Sequence, residues 1–525
     1  MYVVTGEQMR RIDEAVISRF VPGITLMERA GEGIFDVIEE YLEPLDELSV
    51  SIFLGRGNNA GDGLVVARLL AERETRVMLH YLHDPKEFSP DAFKNFAKLK
   101  RFRKNSTIEE YYLYLGDWKK KVSEVLADTD LVIDALLGTG ITKPVKGRYA
   151  EVIDLMNDSG LLVLSVDIPS GVNSRTGEVM GTAVRADMTV TMGLPKVGSF
   201  FYPGKACTGG FRVVDIGIPE HVIEAEGLDL FIADSGQALE DLPERDPEAH
   251  KFRCGSLLLV AGSRRYTGAA HLAAVSALRT GCGIVYLAGP DSIRPVIQTL
   301  APEIIFLPQP ETESGSISPS ALDGLLGEVR FDALALGPGM TTEAQTEELV
   351  RELVRRVEKP ILIDADGINA FEGRYGELAD HSSDKDMIIS PHSGELERLT
   401  GTAVKGQPLE RIETLRSLVG GTGITLVHKG APTVIAQPDG RCFINAGGHP
   451  GQATAGSGDV LTGAIGGFLA QGCSTAAAAR VGVYLHSRAA RIAAEDFSER
   501  GMVATDCVYA LGHAMSELED DYRYW

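Results

Sequence analysis

The segment Asn-Ala-Gly-Gly-His-Pro-Gly-Gln-Ala-Thr-Ala-Gly-Ser-Gly-Asp-Val-Leu-Thr-Gly, residues 445–463, leads a run of small residues into an apolar helix predicted at 460–469. Backbone N–H groups at a helix N-terminus attract anions, so those of residues 456–459 predict an anion hole for a phosphate or a transferring phosphoryl group. Asp459 lies beside this hole, where a carboxylate can accept the proton of a hydroxyl that attacks phosphorus. The alternative is that the glycines only let the helix pack closely against a neighbour.

Short apolar runs alternate with longer periodic stretches on both sides of a region that is rich in Asp, Glu and Pro and ends near His250. Continuous apolar runs separated by helices indicate buried parallel strands. The pattern predicts two different α/β domains, residues 1–225 and 226–525. The predicted strands are 49–54, 76–82, 131–136, 161–166, 188–192 and 211–216, then 256–261, 283–288, 333–337, 360–364, 387–390, 424–428 and 433–436.

The composition excludes several classes of partner. Lys and Arg number 51 against 74 Asp and Glu, a net charge of −23 that repels phosphate backbones and anionic lipids, so we expect neither nucleic acid nor a membrane as a partner. The six cysteines form no C-x-x-C pair, and no run of about 18 apolar residues or signal peptide is present. We expect a cytoplasmic protein with reduced thiols, and a homo-oligomer whose size the sequence does not set.

A second glycine-rich segment, GRGNNAGDG at residues 55–63, follows a predicted strand and precedes a helix predicted at 64–70. This arrangement suits a phosphate, although a tight turn would explain the glycines equally well. Asp134 lies near the end of one predicted strand, Asp167 and Ser170 follow another, and the carboxyl ends of parallel strands share one edge of a sheet. The oxygen atoms of Asn59, Asp134 and Ser170 suit a hard cation, which leaves Asp167 free for proton transfer, unless each Asp only caps a helix or turn.

Four motifs of the first half, LMERAG, GxGNNxGDG, VIDALLGTG and VDIPSG, occur in this order and resemble the YjeF N-terminal family, the epimerases of hydrated nicotinamide dinucleotides, over residues 1–220. The resemblance implies a Rossmann-like, three-layer fold with a parallel sheet. It implies K⁺ bound by Asn59, Asp134 and Ser170, and catalysis by Asp167 and Lys196. The implied contacts to the dinucleotide are Asn58, Asn59, Ala60, Gly61, Asp62, Gly138, Thr139, Gly140, Ile141, Thr142, Lys143, Pro144 and Asp167.

The second half resembles the ribokinase-like fold in its AGSGD segment, and its other motifs narrow the resemblance to the nucleotide-dependent NAD(P)H-hydrate dehydratases over residues 230–515. These motifs are YTGAA at 266–270, ALGPG at 335–339, IDADGIN at 363–369 and SPHSGE at 390–395. The resemblance implies Asp459 as the catalytic base, Gly339, His392 and Asp459 as contacts to the hydrated dinucleotide, and Mg²⁺ with ADP or ATP. The implied nucleotide contacts are Lys429, Gly430, Ala431, Pro432, Thr433, His449, Pro450, Gly451, Gln452, Ala453, Thr454, Ala455, Gly456, Ser457 and Gly458.

Together the two resemblances imply a bifunctional repair enzyme that epimerises R and S NADHX and NADPHX and dehydrates the S form with ADP. One alternative is a small-molecule hydroxyl kinase, and another is a first domain that only binds proteins or RNA. A lone His such as His392 is about as often structural as a ligand contact. The chain departs from the family pattern at Ala60, Phe252, Ser390 and Ser393, and Ala60 would cost about 1 kcal/mol if its φ angle were positive.

Overall fold

Two α/β units make up the structure, a computed structural model that describes residues 1–99 and 107–523. One unit comprises residues 2–228, and the other comprises Met1 with residues 229–525. None of the helices described within those ranges is long and apolar enough to cross a membrane.

The sheet of the N-terminal unit has seven strands in the order β3-β2-β1-β4-β5-β6-β7, and every neighbouring pair is parallel. Phe53 pairs with Asp134, and Asp134 with Ser165, so the carboxyl ends of the three central strands lie side by side. The strands are β1 Ser49–Leu54, β2 Arg76–Tyr81, β3 Ile108–Tyr112, β4 Leu131–Ala135, β5 Leu162–Val166, β6 Met188–Met192 and β7 Gly210–Val214.

Helices cover both faces of this sheet. Successive strand residues point to opposite sides, and since the central strands carry apolar side chains on both sides, both faces must be buried. Ile52 and Ile133 pack with the first three helices, whereas their neighbours Phe53 and Val132 pack with α5 and α6. This arrangement confirms the predicted three-layer fold. The helices are α1 Gly6–Arg19, α2 Gly23–Tyr41, α3 Asn58–Glu72, α4 Pro90–Lys98, α5 Trp118–Leu126, α6 Arg148–Asp158, α7 Gly204–Thr208 and α8 Glu220–Glu224.

The sheet of the C-terminal unit has ten strands in the order β11-β10-β9-β12-β13-β14-β15-β16-β17-β8. All neighbouring pairs are parallel except β15 with β16 and β16 with β17. The strands are β8 Leu230–Ile232, β9 Ser256–Val260, β10 Ile284–Pro290, β11 Ile305–Gln309, β12 Ala333–Leu336, β13 Ile361–Ile363, β14 Met387–Ile389, β15 Ile424–His428, β16 Thr433–Ala436 and β17 Cys442–Asn445.

The central helix of this unit, α18, packs closely against α10. A Cβ atom on Gly463 would collide with the carbonyl oxygen of Ala273, and one on Gly467 with the hydroxyl of Thr280. These two glycines therefore serve close packing, as the alternative interpretation proposed. The helices are α9 Ser235–Asp241, α10 Thr267–Arg279, α11 Arg294–Leu300, α12 Leu322–Gly327, α13 Ala344–Arg356, α14 Asp366–Asn369, α15 Tyr375–His381, α16 Ser393–Thr400, α17 Pro408–Val419, α18 Ser457–Ala470, α19 Thr475–Phe497 and α20 Ala504–Arg523.

Several predicted elements need correction. Helix α3 begins at Asn58 rather than at residue 64, and α18 begins at Ser457 rather than at residue 460. In both cases the small and polar residues that were predicted as loop form the first turn. Strands β3, β8, β11 and β17 were not predicted, and the weakly patterned region before His250 contains α8, β8 and α9.

Ala60 lies inside the first turn of α3 and is completely buried, so no positive φ angle is imposed on it. The conditional cost that we attached to alanine does not arise. We expect the reverse substitution, Ala60→Gly, to destabilise the N-terminal unit by about 0.5–1 kcal/mol, because glycine loses more backbone freedom in a helix. Calorimetry of the full chain should show a lower Tm for one transition. Gly57→Ala is the control, because its Cβ would meet no atom within 4 Å, and an unchanged Tm in Ala60→Gly would contradict the expectation.

Candidate active sites

A cavity of about 510 Å³ lies at the carboxyl edge of the N-terminal sheet. Its wall comes from the start of α3, the loop after β4, the end of β5 and the helix α1. Among the predicted dinucleotide contacts, the cavity is lined by Asn58, Asn59, Asp62, Thr139, Gly140, Ile141, Thr142 and Asp167, and Lys196 also lines it.

The other predicted contacts are placed differently. Ala60 is completely buried, and Gly61 packs against the sulfur of Met27. Gly138 leaves room for the Asn59 carboxamide, since an added Cβ would lie 2.7 Å from its Oδ1. Lys143 and Pro144 are exposed to solvent.

Asp167 and Lys196 form a buried ion pair inside this cavity. Lys196 is only 1% exposed, and its ammonium donates to Asp167 Oδ1, to Thr191 Oγ1 at 3.0 Å and to the Met192 carbonyl at 3.0 Å. Thr191 also donates to Asp167 Oδ1, at 2.9 Å. Within the described residues Asp167 Oδ2 receives no hydrogen bond, so one carboxylate oxygen is anchored and the other remains available.

The backbone at Asp167 is strained, with a φ angle of 70°. A non-glycine residue in this region costs about 1–3 kcal/mol and persists only where the surroundings enforce it. Its N–H donates to the Val190 carbonyl at 2.8 Å, which helps to fix that conformation. The conformation therefore places the carboxylate beside Lys196 at the end of β5.

Asp134, Ser170 and Asn59 are brought together as predicted. The Asp134 carboxylate accepts from Ser170 Oγ at 2.6 Å, Ser170 N at 2.8 Å, Ser165 Oγ at 2.9 Å and Leu136 N at 3.2 Å. Asn59 donates to the carbonyls of Val166 and Leu137 at 2.9 and 3.1 Å. Burial raises the pKa of Asp134, although these hydrogen bonds oppose the rise.

Two further carboxyl groups face the same cavity without a hydrogen bond to any described residue, Asp62 and Asp13. Burial, and then the charges of Asp167 and Asp13, raise the pKa of Asp62 well above its ordinary value. Burial raises the pKa of Asp13 to about 6, against the opposing charge of Lys196. Asp13 was missed in the sequence, although it shares the apolar face of α1 with Met9 and Val16, an unusual place for a carboxylate.

In the C-terminal unit, Lys429 and Asp364 form the centre of a second site. Lys429 Nζ donates to Asp364 Oδ1 at 2.6 Å, and Thr462 Oγ1 donates to Oδ2 at 2.5 Å. Glu395 Oε2 lies 3.7 Å from Lys429 Nζ. Burial lowers the pKa of Lys429, but the charges of Asp364 and Glu395 outweigh it and raise the pKa overall.

Asp459 lies in the first turn of α18, next to this ion pair. Burial raises its pKa to about 7, with further contributions from Asp364 and Asp366 and an opposing one from Lys429. Its carboxylate makes no hydrogen bond with the rest of the described chain. A carboxyl group with a pKa near neutrality is suited to proton transfer, the role predicted for Asp459.

The predicted nucleotide segment 449–458 forms a short 3-10 helix, Pro450–Gln452, followed by the start of α18. Gly456 takes a left-handed conformation, with φ 91°, immediately before the helix. Backbone N–H groups of Gly458 and Asp459 have no acceptor among the residues described, and a Cβ on Gly458 would lie 3.7 Å from Lys429 Nζ. The Ser457 N–H donates to the Thr454 carbonyl at 3.4 Å, so the N–H groups of Gly458 and Asp459, but not that of Ser457, remain candidates for the predicted anion hole.

The remaining predicted contacts lie at neighbouring strand ends. Gly430–Pro432 belong to the turn between β15 and β16, where Thr433 Oγ1 donates to the Gly430 carbonyl at 3.2 Å. Gly339 has a φ angle of 65°, and its Cβ would lie 2.7 Å from that of Tyr266, so glycine is required there.

His392 caps α16. Its Nδ1 accepts from the N–H groups of Gly394 and Glu395, and Glu395 in turn accepts from the His392 N–H. Lys429 N donates to the Pro391 carbonyl at 2.9 Å, which keeps His392 next to the site. The ring of His392 is half exposed, at 53%, while its Nδ1 has a structural role as the cap of α16.

Two of the residues that depart from the family pattern, Ser390 and Ser393, lie close to His392 in the chain. Ser393 Oγ lies 3.2 Å from His428 Nε2, and Ser390 is buried at the end of β14. Phe252 is exposed, at 64%.

Comparison with known proteins identifies the family. Residues 23–198 match the model of the YjeF-related protein N-terminus, and residues 257–511 match the model of NAD(P)H-hydrate dehydratase. The bifunctional NAD(P)H-hydrate repair enzyme Nnr of Moorella thermoacetica is 38% identical, over 99% of this chain and 98% of its own. The chain belongs to the family of bifunctional NAD(P)H-hydrate repair enzymes.

A second relative matches the whole chain, and a solved structure matches about half of it. The enzyme of the same name from Thermofilum pendens is 38% identical over 100% of this chain and 98% of its own. A solved ADP/ATP-dependent NAD(P)H-hydrate dehydratase from Bacillus subtilis, co-crystallised with ATP and Mg²⁺, is 28% identical over 55% of this chain and 98% of its own, with a TM-score of 0.46. In this repair-enzyme chain the two matched ranges contain Asp167 and Asp459, while Asp13 lies before the first of them.

Proposed function

We propose that the N-terminal unit epimerises R and S NADHX and NADPHX, and that the C-terminal unit dehydrates the S form to NAD(P)H at the expense of ADP. The observation that supports this division is a carboxylate with a free oxygen beside a lysine in each unit: Oδ2 of Asp167 beside Lys196, and Asp459 near Lys429. Each carboxylate occupies a polar site of its own, so each can serve a different proton transfer.

In the epimerase unit, Asp167 is the acid/base residue. Lys196 and Thr191 hold Oδ1, so Oδ2 is oriented toward the cavity where the hydrated nicotinamide ring binds. Inversion at the hydroxyl-bearing carbon requires a bond there to break and re-form, with one proton taken and one returned. Asp62 adds a second carboxyl group to the same wall, and burial together with the charges of Asp167 and Asp13 raises its pKa well above the ordinary value.

K⁺ fits the oxygen cluster of Asn59, Asp134 and Ser170. Asp134 is completely buried, and burial raises its pKa, so a cation there would stabilise the carboxylate. Asn59 Oδ1 accepts no hydrogen bond from the residues that the structure describes, because the two hydrogen bonds of this side chain use its nitrogen. The ion would neutralise the buried charge, and these residues would keep the loops after β4 and β5 in place.

In the dehydratase unit, Asp459 takes the proton of the ring hydroxyl, whose oxygen attacks the terminal phosphorus of ADP. AMP leaves, and the phosphorylated ring then loses phosphate and a proton to give NAD(P)H, so the products are NAD(P)H, AMP and inorganic phosphate. Lys429 and the N–H groups at the start of α18 bind the phosphates. Mg²⁺ fits as a counter-ion, because Asp364, Asp366 and Asp459 otherwise repel the anionic nucleotide.

Product analysis separates this reaction from that of a hydroxyl kinase. We expect NADH absorbance to return from hydrated NADH together with one inorganic phosphate per NADH. A stable phosphorylated dinucleotide without recovered absorbance would establish the kinase instead.

A ligand-binding test locates the nucleotide. ADP with Mg²⁺ should raise the Tm of one calorimetric transition of the full chain, because a ligand that binds only the folded state stabilises it. Gly458→Ala should weaken ADP binding at least about tenfold, because its methyl group would lie near Lys429 where the phosphate binds. The fold should tolerate the change, because the added Cβ makes only an ordinary contact with the protein. Gly512→Ala, with open space around its Cβ, is the control. An undiminished ADP shift in Gly458→Ala would place the nucleotide elsewhere.

A further inference from the structure

A chain of hydrogen bonds links the 3-10 helix Pro450–Gln452 to the start of α18 through His486 of α19. The His449 N–H donates to Gln452 Oε1 at 2.9 Å, and this bond fixes the orientation of the Gln452 amide. The amide nitrogen, Nε2, then lies 3.0 Å from His486 Nδ1. An amide NH₂ group can only donate, so Nδ1 must accept.

This bond determines the tautomer of His486. A neutral imidazole with an accepting Nδ1 carries its proton on Nε2. Burial lowers the pKa of His486 to about 4, with a further contribution from Lys429 and an opposing one from a hydrogen bond to the Ser457 backbone, so the ring is neutral near pH 7. Nε2 lies 3.3 Å from Ser457 Oγ and donates to it.

The Ser457 hydroxyl is therefore an acceptor toward His486, and its own hydrogen is free. No other hydrogen bond of Ser457 Oγ occurs within the part of the chain that the structure describes. Ser457 is the first residue of α18, where the N–H groups of Gly458 and Asp459 also lack acceptors. We propose that His486 is a positioning residue for nucleotide binding: it turns the Ser457 hydroxyl into a hydrogen-bond donor to the nucleotide phosphate.

This inference rests on the proposed binding of ADP at the start of α18. The competing explanation is that His486 only fills the core between α18 and α19. A core role would affect every ligand alike, whereas a role through Ser457 would affect ligands with phosphate groups.

The test is a double-mutant cycle, with ADP and adenosine affinities measured by calorimetric titration on the full chain. His486→Asn retains a polar group at the position of Nδ1 but cannot reach Ser457, whereas His486→Gln can present an N–H there. We expect His486→Asn and Ser457→Ala each to raise the Kd of ADP about tenfold and to leave adenosine unchanged, as one lost charge-assisted hydrogen bond requires. The Kd of ADP for the double variant should be no higher than the higher of the two single-variant values. His486→Gln should bind ADP nearly as well as the parent.

Each other outcome has a definite meaning. The positioning role is wrong if Ser457→Ala weakens ADP binding but His486→Asn does not. It is also wrong if the increases in the Kd of ADP multiply in the double variant. In both cases the proposed function stands. Equal losses for ADP and adenosine in His486→Asn would also overturn it, because they indicate a core role. Failure of the parent chain to bind ADP would instead refute the proposed function.

Gln452→Glu offers a second route if His486→Asn does not fold. A carboxylate in place of the amide nitrogen reverses the tautomer, so His486 Nε2 would accept the Ser457 proton. We expect a loss of ADP affinity that largely disappears in the Ser457→Ala background, and an equal loss in both backgrounds would overturn the inference.

Discussion

Asp459→Asn is expected to lower kcat for dehydration at least about a hundredfold, the usual scale for a lost acid/base residue. ADP affinity should stay the same or rise, because the amide no longer repels the phosphates. Epimerisation should be unchanged. The measurement is recovery of NADH absorbance from the S epimer, and a variant that works at the parent rate would show that Asp364 or a water acts as the base.

The same residue predicts a pH dependence. Burial raises the pKa of Asp459 to about 7, so its carboxylate form increases about tenfold between pH 6 and pH 8. The kcat/KM of the parent for dehydration should rise between pH 6 and pH 8 in proportion to this carboxylate fraction. Asp496→Asn, an exposed change on α19, should keep the parent profile.

The stability of the parent should fall as pH rises, whereas its dehydratase activity should increase. The folded pKa of Asp459, about 7, lies above the value of 3.8 for an unperturbed Asp, so the parent loses stability as pH rises between those values. The Asn variant lacks this loss. Above pH 7 the free energy of unfolding of the C-terminal unit should be about 2–4 kcal/mol larger in the Asn variant than in the parent, with a correspondingly higher Tm. Near pH 4 this difference should vanish. A variant less stable than the parent at pH 8 would contradict the buried, ionising carboxylate.

Asp167→Asn is expected to lower the rate of epimer exchange at least about a hundredfold, because the amide cannot accept a proton. ADP-dependent dehydration of the S epimer should continue. Chromatographic separation of the epimers over time measures the exchange, and an unchanged rate would remove Asp167 from the mechanism.

The ion pair with Lys196 adds a control for folding. Asp167→Asn leaves a buried ammonium without its partner, which costs about 3–5 kcal/mol, whereas removal of both charges is often neutral. Asp167→Asn with Lys196→Met should therefore regain much of the lost stability and none of the lost exchange. If exchange returned with stability, Asp167 would have only a structural role.

The sequence predicted the positions at the carboxyl ends of buried strands, because apolar runs identify strands and parallel strands align their ends. Asp134, Asp167 and Ser170 were found in this way. Strand β3, Ile108–Tyr112, was missed because its sequence IEEYY is an edge strand with only Ile108 fully buried. Pro308 similarly obscured β11.

Other features depend on pairings between distant residues, which composition and spacing do not encode. Lys429 and Asp364 are 65 residues apart, and only the order of β13, β14 and β15 brings them together. His486 received no prediction, because its two partners lie 29 and 34 residues away on other elements. The first turns of α3 and α18 were predicted as loops, because glycine and asparagine are poor helix formers in the helix interior.

A complementation experiment tests whether one chain carries two independent activities at two sites. Asp167→Asn and Asp459→Asn full-length proteins can be given an equal mixture of R and S NADHX with ADP and Mg²⁺, separately and together, while NADH absorbance is followed. We predict that Asp167→Asn alone stops near half recovery, that Asp459→Asn alone recovers almost nothing, and that the mixture of both variants converts all of the substrate. A mixture that stops at the level of Asp167→Asn alone would contradict the claim.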